Sequence, residues 1–261
     1  MRTVLAIGTM LLVTPFLATI VIVAGLLGVP NRPGGLYDWA PRMWSRIALW
    51  AAGVRLVLHG GASLNEARPR VFVSNHVSWY DIFTLLAILP RYRFVAKAEL
   101  FRIPLFGTAA RRAGTIPIQR ENRKAAFQAY DEAAREIRGG ASVVVCPEGT
   151  RGDSYALRPF KKGPFVLAIA AQAPVVPLVI YGTREVQRKG SFVIRSATVH
   201  VRFLEEIPTT GLQYEDRDRL ADECWRRMAR ALEQEHGVVS TAPVPRRERV
   251  RSGDTPTLVE R

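Results

Sequence analysis

Residues 3–29 contain no Asp, Glu, Lys, Arg or His. As a helix this run would reach about 40 Å at 1.5 Å per residue, enough to cross a hydrocarbon core of roughly 30 Å. Such a segment must lie in lipid or against protein. Pro15, Gly8, Gly25 and Gly28 interrupt it, which membrane helices tolerate. It exceeds the apolar core of a cleaved signal peptide, and no A-x-A site follows. Residues 1–30 are therefore expected to be a retained membrane anchor. Downstream, Trp39, Met43, Ile47, Trp50, Val54 and Val57 recur at helical spacing, and three of the five Trp fall at 39, 44 and 50. Residues 31–60 read as an amphipathic helix at the membrane interface and a linker. Arg32, Arg42, Arg46 and Arg55 follow the anchor, against Arg2 before it. The positive-inside rule then places the remaining chain on the cytoplasmic side, at a bacterial inner membrane.

The region 61–238 alternates strand and helix signals. Strands are expected at 54–58, 71–74, 94–96, 115–118, 141–145, 175–180, 192–195 and 198–203, with helices at 122–138 and 212–236. The fold class is α/β, a mixed sheet flanked by helices, behind an N-terminal membrane-anchoring segment. Residues 239–261, rich in Pro, Ser, Thr and Arg, carry no apolar period and read as a basic, disordered tail.

The net charge of +14 suits anionic lipid, phosphorylated substrates or nucleic acid. No helix-turn-helix, zinc-finger or RNA-binding signature accompanies it, so nucleic acid is not expected as a partner. Cys146 and Cys224 have no metal-ligand spacing and read as free thiols, Cys146 as a core thiol at a strand end. No metal or redox cofactor is expected.

Four polar clusters punctuate the α/β region. In the first, the run 71–74 stops at Asn75 and His76, and Asp81 heads an apolar helix. In a regular helix positions i and i+5 point about 140° apart. His76 and Asp81 can meet only if the His sits in the turn and the Asp in the first helical turn. The pair would leave one imidazole nitrogen as a base, although Ser78 to Asp81 also has capping-box spacing. The second cluster runs from Lys97 to Arg120, cations at strand ends. The third is Cys146-Pro-Glu-Gly-Thr-Arg151, where Gly149 permits close backbone approach and Arg151 can grip phosphate. The fourth, 173–178, is a strand with two prolines, the mark of an edge or a bulge.

Asn75-His-Val-Ser-Trp-Tyr-Asp81 resembles the H-x4-D motif of the glycerolipid acyltransferases, the family of bacterial 1-acyl-glycerol-3-phosphate acyltransferases. The other three clusters resemble that family's further motifs in the same order. Cys146 departs from the aromatic residue frequent there, and Gly152 from a frequent Ser. The resemblance implies His76 as general base and Asp81 as its orienting partner. It implies Lys97, Arg120 and Arg151 on the acceptor phosphate, with Glu148, Gly149 and Thr150 shaping the site and its oxyanion donors. The co-substrate would be acyl-CoA or acyl-carrier protein, the acceptor 1-acyl-glycerol-3-phosphate and the product phosphatidic acid, with membrane phospholipids as surroundings. Another acceptor, such as lysophosphatidylglycerol or an ornithine-lipid precursor, would need the same chemistry. A non-catalytic basic membrane or nucleic-acid binding protein is the reading from a different class.

Overall fold

The computed structural model describes residues 1–32, 34–61, 68–89, 92–119 and 123–241, the side chains of 123–127 excepted. Among the described residues, seven strands form one sheet in the order β1-β7-β6-β2-β5-β3-β4. They are β1 (Arg55–His59), β2 (Val71–Ser74), β3 (Tyr92–Lys97), β4 (Ile116–Ile118), β5 (Ser142–Val145), β6 (Val175–Tyr181) and β7 (Thr198–Phe203). Strands β2 to β6 run parallel, β7 is antiparallel to β6, and β1 follows β7 in parallel.

The near-continuous apolar strands are those of a sheet buried on both faces. Successive side chains alternate between two cores. Val71, Val73, Val143, Val145, Val175 and Val179 belong to one, with α5 (Arg123–Arg138), α6 (Gly163–Ala171) and α8 (Arg217–His236). Phe72, Val144, Val176, Leu178 and Ile180 belong to the other, with α2 (Leu36–Ala52) and α3 (Trp79–Ile88). Each fully buried Val, Leu or Phe side chain contributes about 1.5–3 kcal/mol of transfer free energy. In α8 the expected stripe Leu220, Cys224, Met228 and Leu232 is buried.

Two sequence expectations are corrected and one open alternative is decided. The stripe from Trp39 does not run on to Val54 and Val57. Gly53, at φ 70°, ends α2 in the left-handed conformation, and Val57 lies in β1. Trp39 and Trp50 stand outward, 45% and 68% exposed, while Tyr37, Ala40, Ala48 and Leu49 face the protein. Residues 192–195 form no strand, because the backbone of Ile194 pairs with the hydroxyl of Thr3 instead of a neighbouring strand. Strand β6 is not an edge strand despite its prolines. Leu204 N–H donates to Pro177 O while Ile207 exchanges both bonds with Val175. A step of three residues therefore faces a step of two, a bulge beside the residue that lacks a donor.

The apolar N-terminus forms α1 (Arg2–Leu26), about 37 Å long. Its first turn is held by Thr3 at Ile194. Near its end Gly25 leaves room for Arg112, on α4 (Phe106–Arg112). One face, with Ala6, Leu17, Ala18 and Val21, is buried, and Val4, Leu11, Leu12 and Phe16 are exposed. Thus α1 lies along the α/β domain, touching it at both ends. In the expected basic tail, Ser240 accepts a bond from Leu157 N–H at 2.9 Å; residues 242–261 lie outside the described ones.

At the end of β6, Gly182 has φ 101°, and a Cβ there would meet the Thr198 carbonyl oxygen at 2.1 Å. It is followed by α7 (Thr183–Val186). Gly182→Ala should lower stability by at least about 1–3 kcal/mol, read as a reduced thermal midpoint. An unchanged midpoint would contradict this backbone placement.

Candidate active site

The carboxyl ends of β2, β5 and β6 lie side by side with β2 in the middle. The turn after β2 carries His76, the loop after β5 carries residues 146–152, and the turn after β6 carries Gly182 and Thr183. This is where open parallel sheets gather ligand-binding residues. Asn75 extends β2 by one side chain. Its amide donates to Ile180 O at 2.9 Å and accepts from Ile180 N–H at 2.8 Å, which fixes the exit of the strand.

Ser78 caps α3, accepting from Tyr80 N–H at 3.2 Å, and Asp81 completes a capping box. The same carboxylate reaches His76. Asp81 Oδ2 lies 2.8 Å from His76 Nδ1 and also accepts from the N–H groups of Val77, at 2.6 Å, and Ser78, at 2.8 Å. Asp81 Oδ1 accepts from the Thr183 hydroxyl at 2.5 Å. The Asp81 side chain is wholly buried, whereas that of His76 is 14% exposed. A carboxylate facing Nδ1 selects the Nδ1–H tautomer and leaves Nε2 with the lone pair. Capping and pairing are therefore both real, because Val77 and Ser78 bend the chain around one carboxylate.

The loop after β5 clasps the His76 backbone. Glu148 Oε1 accepts from His76 N–H at 3.0 Å, and Gly152 N–H donates to His76 O at 2.8 Å. Gly149, at φ 79°, turns the loop, and its N–H donates to Cys146 O at 3.1 Å. Arg158 donates to the carbonyls of Glu148, at 3.2 Å, and Thr150, at 2.8 Å, with its Nε 3.4 Å from Glu148 Oε2. Burial raises the pKa of Glu148, a shift opposed by the His76 N–H and Arg158.

A cavity of about 350 Å³ opens beside this cluster. His76, Thr150, Arg151, Lys97 and Cys146 line its polar end. Its walls are apolar: Trp79, Phe83 and Leu86 from α3, Phe94 from β3, and Phe101 and Phe106 beyond. Thr14, Leu17, Ala18 and Val21 of α1 close one side, with Ala40 and Trp44 of α2. The Trp44 indole N–H donates to the Thr14 hydroxyl at 2.9 Å, which satisfies both groups in that apolar wall.

Of the residues expected from sequence, His76, Asp81, Glu148, Gly149, Thr150 and Arg151 come together. The Arg151 guanidinium lies over the Trp79 ring, 4.9 Å from its centroid. Lys97 reaches the rim while pairing with Glu99 at 3.2 Å, both about half exposed. Arg120 lies outside the described residues. Cys146 is not a core thiol. It follows β5 rather than ending it, and is half-buried on the cavity wall. Thr183 and Arg158 were missed. A Gly-Thr pair at a strand end and an Arg seven residues after Arg151 were their only sequence signals.

Because folding raises the Glu148 pKa above its ordinary 4.5, the folded state favours the protonated acid there. Its contribution is complete below that pH and is lost as pH rises through the raised value. Glu148→Gln, which has no proton to lose, should therefore gain in stability relative to the wild type as pH rises from 4.5 through the raised value. Denaturant midpoints across that range would show it. A relative gain for the wild type would overturn the assignment.

The acyltransferase family profile matches residues 55–181. The chain is 39% identical to 1-acyl-sn-glycerol-3-phosphate acyltransferase beta of Homo sapiens, over 67% of this chain and 64% of that one. It is 35% identical to the chloroplastic BAT2 enzyme of that name from Brassica napus, over 75% of this chain and 56% of the other. The chain thus spans less than two thirds of those two relatives. With the 1-acyl-sn-glycerol-3-phosphate acyltransferase of Cocos nucifera it shares 31% identity over 85% of its own length and 70% of the relative's. Its fold matches the crystal structure of the 1-acyl-sn-glycerophosphate acyltransferase PlsC from Thermotoga maritima, with a TM-score of 0.72 at 23% identity, covering 92% of this chain and all of that one. The chain belongs to the acyltransferase family that includes the 1-acyl-sn-glycerol-3-phosphate acyltransferases.

Proposed function

We propose that the protein transfers a fatty acyl group from an acyl thioester to the sn-2 hydroxyl of 1-acyl-glycerol-3-phosphate at a membrane surface, giving phosphatidic acid. The observation that carries this is one cavity with a His–Asp pair and a cation at its polar end and apolar walls behind them. His76 Nε2 takes the hydroxyl proton as the acceptor oxygen attacks the thioester carbonyl carbon. The C–S bond then breaks, and the thiolate takes the proton back from the imidazolium. Asp81 holds the ring and stabilises its charged form. Backbone N–H groups of Thr150 and Arg151, which line the cavity beside His76, are the candidates for the oxyanion.

Arg151 and Lys97 hold the acceptor phosphate in this reading; Arg120, expected from sequence to share the role, lies outside the described residues. Stacking on Trp79 occupies the face of the Arg151 guanidinium and directs its N–H edge to the ligand. The exposed Lys97–Glu99 pair is weak and can be exchanged for a phosphate. The donor is a coenzyme A or carrier-protein thioester. The exposed apolar face of α1, held along the domain, and the outward Trp39 and Trp50 suit a helix lying within one leaflet.

His76→Ala should lower turnover by at least about 10²–10⁴-fold, measured as thioester-derived thiol release over a panel of lysolipid acceptors. Activity highest on 1-acyl-glycerol-3-phosphate is the expected pattern. Full activity in the variant would sink the mechanism, and preference for another lysolipid would reassign the acceptor. Ala18, 5% exposed, lies on the cavity wall. Ala18→Phe should shift donor preference toward shorter acyl chains, read from competition between thioesters of different length. An unchanged profile would remove α1 from the acyl site.

A further inference from the structure

Between α7 and β7 the chain projects a loop, residues 187–195, with sequence Gln-Arg-Lys-Gly-Ser-Phe-Val-Ile-Arg. Its tip is apolar and open to solvent: Phe192 is 82% exposed and Val193 49%. An exposed Phe-Val pair gains nothing from water, and this one is not left over from a strand. The loop is built. Arg195 N–H donates to Val186 O at 3.0 Å and closes its base. Gln187 Nε2 donates across it to Ser191 O at 3.0 Å, and Val193 N–H to Ser191 Oγ at 3.0 Å.

Two further ties give the loop a direction. Ile194, next to the tip, is buried with Ala6, Leu49, Ala51 and Ala52 of α1 and α2. It donates its N–H to Thr3 Oγ1 at 3.0 Å and accepts from the same hydroxyl at 3.2 Å. The tip therefore emerges beside the first turn of α1, where Val4 is 76% exposed, and adds to that apolar face. Arg188, Lys189 and Arg195 are exposed around it, and Arg2 packs over Gly53 next to Ser196. Lys189 pairs with Asp153 at 3.1 Å, an exposed pair of small energetic weight.

We propose that residues 187–195 are a second membrane-inserting element, which buries Phe192 and Val193 in the acyl boundary and sets Arg188, Lys189 and Arg195 among anionic headgroups. An apolar tip inside a basic collar matches an anionic bilayer, and it is continuous with the exposed face of α1. The root of the loop meets the active site. Ser78 Oγ, the cap of the helix bearing Asp81, donates to Gln187 O at 2.8 Å. Docking of the loop thus fixes how the His76 turn sits above the bilayer. The inference rests on the membrane pose proposed for α1 and is independent of the acyl-transfer reading.

The test uses the full chain carrying Cys146→Ala, with Cys224 retained in the core. A polarity-sensitive fluorophore is placed singly at Phe192→Cys, at Leu12→Cys on α1, or at Glu215→Cys near the start of α8, on the other side of the sheet. With phosphatidylglycerol vesicles bearing brominated acyl chains, the labels at 192 and 12 should shift to the blue and be quenched, and that at 215 should not. An aqueous emission at 192 with quenching at 12 would overturn the loop assignment and leave the α1 pose intact. Aqueous emission at both would overturn both. A shift at 192 produced by an acidic carrier protein and not by vesicles would assign the loop to a protein partner instead. Replacing Arg188, Lys189 and Arg195 together by Gln should reduce the preference for phosphatidylglycerol over phosphatidylcholine vesicles by roughly tenfold or more. An unchanged preference would remove the headgroup assignment.

Discussion

A carboxylate with no solvent exposure is tolerable only if its lone pairs are met, and the active-site end of this sheet is arranged around meeting those of Asp81. Two of its donors are backbone N–H groups from Val77 and Ser78, one is the His76 ring, and one is the Thr183 hydroxyl. The backbone donors force the turn after β2 to wrap the carboxylate. The hydroxyl requires the turn after β6 to close over it, which only Gly182 permits. A single buried charge thus sets the positions of two strand exits and the start of α3. It also fixes the tautomer of the imidazole.

A second layer holds the first. His76 is gripped through its own N–H and carbonyl by Glu148 and Gly152, and Arg158 fixes the loop that carries them. Glu148 is therefore explained without a chemical step of its own. It occupies a buried position because that is where the His76 backbone is held, and its raised pKa reflects that burial.

The local part of this arrangement was legible in the sequence. The spacing of His76 and Asp81, read with helix geometry, required a turn followed by a first helical turn, and the structure has both. The loop 146–151 was legible because its residue types are unusual at a strand exit. Thr183 and Arg158 were not, since what they touch is set by the sheet order, and a Thr or Arg in a loop carries no periodic signal. The fate of α1 was hidden for another reason. Apolar side chains pack against protein and lipid alike, so an uncharged run cannot reveal that Thr14, Leu17, Ala18 and Val21 close a cavity. At residues 192–195 an apolar run resembled a strand, but the hydroxyl of Thr3, distant in sequence, took the backbone groups a strand would have used.

The placement of α1 joins two properties usually treated as separable. In many membrane enzymes an anchor is a tether, and trimming it yields a soluble catalytic domain. Here Thr14, Leu17, Ala18 and Val21 are part of the cavity wall. Removing the helix to gain solubility would open the cavity along its length to water. The helix that turns Val4, Leu11, Leu12 and Phe16 outward closes the cavity beside His76 with Leu17, Ala18 and Val21, so its outer apolar face and the enclosure of the cavity belong to one element.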